Sequence, residues 1–91
     1  MTVAAQIETR LRTALAPTRI VVTDDSARHA GHAGARPGGE THFTVLVVSP
    51  QFAGQSRLAR HRLVYDLLAT EIAGGVHALA LETLTPEEDR G

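Results

Sequence analysis

"THFTVLVVSPQFAGQSRLARHRLVYDLLATEIAGGVHALALETL", residues 41–84, decides the fold. Its opening, 41–49, is β-branched and apolar, so it predicts a strand with Phe43, Val45 and Val47 on one face and His42, Thr44, Leu46 and Val48 on the other. Pro50 breaks that run, Phe52 supplies one apolar anchor, Gly54 permits a turn, and Ser56 stands where an N-cap belongs. A single long helix is predicted from there to Gly74 and Gly75, its apolar face running through His61, Val64, Tyr65, Leu68 and Ile72. Residues 76–84 then read as another strand, with Leu79 and Leu81 on the face that also carries His77. A helical connection lets the two strands lie parallel through a right-handed crossover, with the 41–49 strand central.

Before this stretch, Val3, Ile7, Leu11 and Leu15 recur every four residues between a capping Thr2 and a stopping Pro17, which predicts an amphipathic helix. "RIVVTD", 19–24, is short, β-branched and bounded by turn formers, and predicts a strand that can pair antiparallel with the central one. A loop over about 25–39 joins the two; loops of that length inside a small domain are usually functional or mobile. At the other end, Thr85, Pro86 and Glu88 form a capping-box pattern that predicts a short C-terminal helix from about 86. The order is αββααβ(α), with the second α no more than a turn at 50–53. The fold class is α+β, a three-stranded mixed sheet with helices packed on one face, in a single domain over 1–91.

With 91 residues, 43% of them apolar and 21% charged, the composition is that of an ordinary folded domain rather than a disordered chain. No apolar run reaches the length of a membrane span and the N-terminus lacks the pattern of a signal peptide, so a cytoplasmic protein without a membrane partner is expected. Cysteine is absent, which excludes disulfides, a thiol nucleophile and thiolate ligands from this chain. No serine stands against a histidine and an acid at a recognisable spacing and there is no phosphate loop, so no enzyme is expected. All nine basic residues are arginines and the net charge is −1, which gives no global positive field for nucleic acid.

Thr41-His42-Phe43, Phe52-x-Gly54, Arg60-His61-Arg62 with Val64-Tyr65, and Val76-His77-Ala78-Leu79 resemble the BolA family, and the likeness covers nearly the whole chain. The resemblance implies a fold similar to the type II KH domain. It also implies a partner, a monothiol glutaredoxin bound as a heterodimer, and a two-iron two-sulfur cluster shared with that partner and its glutathione. By the same resemblance His77 matches a cluster ligand of relatives. The second ligand in relatives comes from the loop between the first two strands, where His32 is the better match and His29 the alternate. Read without the family, each of these is a solvated or strand-edge histidine. The chemistry suits the residue types, because imidazoles in place of two thiolates on one iron raise the reduction potential, and a chain with imidazoles alone needs sulfur from elsewhere. The expected function is cluster trafficking or iron-linked regulation, with no cluster held tightly by the isolated chain.

His42 and His61 are read as structural. Some bacterial relatives bind DNA as transcription regulators, and Arg57, Arg60 and Arg62 at the start of the long helix are the residues that could meet phosphate here. The KH signature needs two glycines bracketing two residues, however, and "FAGQSR" offers only Gly54.

Overall fold

The computed structural model describes residues 2–25 and 42–90. The predicted loop at about 25–39, apart from Asp25, lies outside them, as do His29 and His32.

Helix α1 (Val3–Leu15) is built as the four-residue period requires: Thr2 Oγ1 accepts from the Ala5 N–H at 3.1 Å, and Ile7, Leu11 and Leu15 are buried. It ends on Ala16 in the left-handed conformation, φ 45°, with the Ala16 N–H on the Arg12 carbonyl. An L-residue with a Cβ pays for that backbone where glycine does not. Ala16→Gly is expected to stabilise the fold by about 0.5–1 kcal/mol, read as a higher urea midpoint at unchanged slope. Strand β1 (Arg19–Asp24) pairs antiparallel with β2 (His42–Val48), which pairs parallel with β3 (Ala78–Leu84), so the predicted central strand is central.

The inner face of the sheet carries Phe43, Val45 and Val47 from β2, flanked by Ile20 and Val22 on one side and Leu79 and Leu81 on the other. The helices cover this face, closing a core in which Phe43, Phe52, Ile7, Leu11, Val64 and Leu68 are all at most 2% exposed. Pro50–Phe52 forms a single 3-10 turn, capped by Ser49, that inserts Phe52 into the core. Gly54 then takes φ 77°, which explains why glycine stands there.

Three expectations are corrected. The long helix is two: α2 (Arg57–Leu67), capped by Ser56 as predicted, and α3 (Ala69–Ala73), with a distortion at Leu68. The ladder nearly survives, since the Leu68 N–H still meets the Val64 carbonyl and the Ile72 N–H the Leu68 carbonyl, each at 3.0 Å. Second, the buried face of this pair keeps Val64 and Leu68 from the expected set, with Ile72 packed against the core, but not Tyr65. Tyr65 is 43% exposed, with its hydroxyl 3.4 Å from the Leu79 carbonyl, and Glu71 is buried in its stead. The Glu71 carboxylate receives Arg10 Nε at 3.0 Å and Nη2 at 3.1 Å, a bidentate pair that ties α3 to α1.

The third correction concerns the C-terminal helix, which is a turn. The capping box itself is made: the Thr85 N–H donates to Glu88 Oε1 at 2.8 Å, and the Glu88 N–H reaches Thr85 Oγ1 at 3.3 Å. Helix does not follow because Glu88 and Asp89 are pulled back onto the body. Arg60 holds the Glu88 carboxylate at 2.6 Å, and Arg19 Nε holds the Asp89 carboxylate at 3.0 Å. The Arg60 hydrogen bond, helped by the Thr85 N–H, lowers the Glu88 carboxyl from its ordinary 4.5 to about 2. A depressed folded-state value means a contribution complete above about pH 4.5 and lost as the pH falls towards 2. Wild type and Glu88→Gln should therefore differ in thermal midpoint at neutral pH and converge by about pH 2.

Candidate functional site

His77 is set at the edge of the sheet by its neighbours. After α3, Gly74 and Gly75 turn the chain, Gly75 with φ 122°, and the Val76 N–H returns to the Glu71 carbonyl at 3.3 Å. Val76 is buried at 8% exposure, which anchors the backbone immediately before His77, and β3 begins immediately after. The imidazole is left exposed, as predicted. Tyr65, Ile72, Val76, Ala78 and Leu79 join it around a shallow groove of about 270 Å³ whose surface is part polar and part apolar.

Sequence reasoning missed what stands opposite. His42 opens β2 and pairs with Ala78 in the parallel register, and its ring lies 6.1 Å from that of His77, centroid to centroid, with the planes 25° apart. The same end of the sheet is where the segment carrying His29 and His32 leaves and returns. The Asp25 N–H donates to the His42 carbonyl at 2.8 Å, and Thr44 Oγ1 bonds the Asp25 carboxylate, so the two points of attachment are pinned together beside His77. Among the described residues there is no group of three or more His, Cys, Asp or Glu side chains that could hold a metal ion. His61 belongs elsewhere, in a groove with Arg57 along 81–84 of β3.

The three arginines part company. The side chain of Arg60 is only 11% exposed and fully engaged: Nε donates to the Gln55 carbonyl at 2.9 Å, and Nη1 to the Thr83 carbonyl at 3.0 Å and to Glu88. Its guanidinium also lies 5.9 Å from the Phe52 ring centroid. Arg57 and Arg62 are exposed. Removing Arg60 takes a donor from two carbonyls and leaves the Glu88 carboxylate with only the Thr85 N–H, so Arg60→Ala is expected to cost about 2–3 kcal/mol in urea unfolding, whereas Arg57→Ala stays within about 0.5 kcal/mol.

A small α+β domain whose sheet edge presents histidine in a chain without cysteine is thus defined, and comparisons with known proteins agree on its family. The family description "BolA-like protein" matches residues 11–88, and the chain belongs to that family. It is 45% identical over 87 residues to Protein BOLA1, chloroplastic, of Arabidopsis thaliana, covering 93% of this chain and 54% of that one. It therefore spans about half the length of that relative. It is 44% identical over 91 residues to the DNA-binding transcriptional regulator BolA of Escherichia coli, covering all of this chain and 83% of the other. Among solved structures, the BolA domain of SufE1 from Arabidopsis thaliana superposes with a TM-score of 0.85 at 43% identity, covering 94% of each chain. No helix among the described residues is long and apolar enough to cross a membrane.

Proposed function

We propose that this chain is an adaptor that docks on a monothiol glutaredoxin and donates two imidazoles to a two-iron two-sulfur cluster, His77 being one and His32 the other, with His29 as the alternate. The cluster is cargo, passed on or sensed in iron-linked regulation. The observation that carries the reading is the exposed His77 beside the pinned attachments of the segment that contains His29 and His32. The donor set agrees in kind, since a cysteine-free chain offers a cluster imidazole nitrogen but no thiolate, and the remaining positions would fall to the partner's thiolate and glutathione. The groove of Tyr65, Ile72, Val76 and Leu79 gives a partner a shallow surface of mixed polarity next to His77.

The test is reconstitution with a glutaredoxin, iron, sulfide and glutathione, followed by visible absorption and circular dichroism. His77→Ala is expected to alter the spectrum, and so is one of His32→Ala and His29→Ala. Unchanged spectra from all three would overturn the assignment.

A second reading, DNA-binding regulation, is favoured by the exposure of Arg57 and Arg62 on α2 and by the name of the Escherichia coli relative. Its contact would be carried by those two rather than by Arg60, whose side chain is largely buried and engaged with the Gln55 and Thr83 carbonyls and with Glu88. Gel-shift affinity should then fall steeply with salt and weaken in Arg57→Ala and Arg62→Ala; no shift at low salt removes it.

A further inference from the structure

We propose that His42 and His77 together bind a single borderline divalent cation, Zn²⁺ or Cu²⁺ in kind, on the chain free of any partner. The two residues stand on different elements, and the parallel register that sets His42 against Ala78 is what holds them together. Two imidazoles that bind one ion through nitrogens at about 2.0–2.1 Å bring their ring centroids to roughly 5–6.5 Å apart. The observed separation, 6.1 Å, falls in that range, but the rings are stacked with their planes 25° apart. Ligation of one ion therefore requires the exposed His77 ring to swing out of the stack about its side-chain torsions until its nitrogen faces the ion together with that of His42. Both backbones are fixed in advance, His42 within β2 and His77 between buried Val76 and the start of β3, which limits the conformational cost of ligation.

Neutral imidazole selects ions of the zinc, nickel and copper group over calcium and magnesium, which prefer oxygen. With two protein ligands the remaining positions go to water, so the site is open and exchangeable. It shares His77 with the cluster reading but does not rest on it. One nitrogen cannot serve an ion and a cluster at once, so this site belongs to the chain before it meets a partner.

The test uses the full chain alone, titrated with ZnCl₂ while long-range ¹H–¹⁵N spectra follow the histidine ring nitrogens. Those of His42 and His77 should move together and saturate at one ion per chain, with His61 unchanged. His42→Phe keeps an aromatic neighbour for His77 but removes the donor, and should weaken Zn²⁺ binding about tenfold or more by calorimetry. The double variant His29→Ala/His32→Ala should stay within about twofold of wild type. The proposal is overturned if His77 shifts without His42, if His42→Phe binds as tightly as wild type, or if affinity disappears in the double variant. Since neither iron, sulfide nor glutaredoxin is present, such a failure leaves the cluster assignment to its own experiment.

Discussion

Phe43→Ala is expected to cost about 3–5 kcal/mol, which for a chain of this size is half or more of the whole stability. The residue sits on the central strand, 2% exposed, opposite Asp24 on one side and Leu79 on the other. A domain this small has one core, and Phe43 shares it with Ile7 and Leu11 of α1, Val64 of α2, and Leu68. Truncation leaves a void that its neighbours on the sheet and on the helices cannot close together, since the sheet register fixes the strands and the Arg10–Glu71 pair ties α1 to α3. Urea unfolding should show the midpoint collapsing towards zero denaturant, with a substantial unfolded fraction already in water. A loss under about 1 kcal/mol would mean that Phe43 is not at the centre of the core.

His77→Ala should have the opposite profile, nearly silent in stability and severe in ligation. The imidazole is exposed and its ring contact is with His42 rather than within the core cluster, so a change within about 0.5 kcal/mol is expected by unfolding. In the complex with a glutaredoxin, losing the proposed nitrogen donor His77 should alter the visible absorption and circular dichroism of the cluster. His77→Cys sharpens the prediction, because it keeps a donor but exchanges nitrogen for thiolate. Potentials of histidine-ligated clusters lie well above those of all-thiolate ones, so this variant should retain a cluster at a potential lower by on the order of 100 mV. If His77→Ala destabilised the fold as much as it disturbed the cluster, the residue would be structural and the ligand assignment would lose its support.

How much of this was written in the sequence depends on the range of the interaction that decides each element. The first helix and the first strand were legible to their ends, because Thr2, Pro17 and the four-residue apolar period act locally. So did the central strand and the cap at Ser56. The break at Leu68 was not legible: nothing between 57 and 73 is proline or glycine, and the distortion accompanies burial of Leu68 together with a glutamate whose partner is 61 residues away. The same long reach hid the exchange of Tyr65 for Glu71 on the buried face. At 85–88 the local signal was right, since both capping-box bonds exist, yet ion pairs to Arg60 and Arg19 draw the segment into a turn. Arg60 looked like a surface charge for the mirror reason, its acceptors being supplied by β3 and the turn beyond it.

Of the candidate site, the exposure of His77 was readable from its place after Gly74 and Gly75, whereas its proposed ligand role came from the family resemblance. The neighbour His42 was not, because only the parallel register, fixed by the whole crossover, brings the two rings together. His29 and His32 lie outside the described residues, and the choice between them belongs to ligation measurements.

The central claim is that this chain brings nitrogen to iron. The most direct measurement is pulsed electron paramagnetic resonance of the reduced complex, assembled from glutaredoxin at natural abundance and this chain labelled with ¹⁵N only in histidine. Two strongly coupled ¹⁵N nuclei are predicted in wild type and one in His77→Ala. A cluster that forms with wild-type protein and shows no strong ¹⁵N coupling would contradict the account.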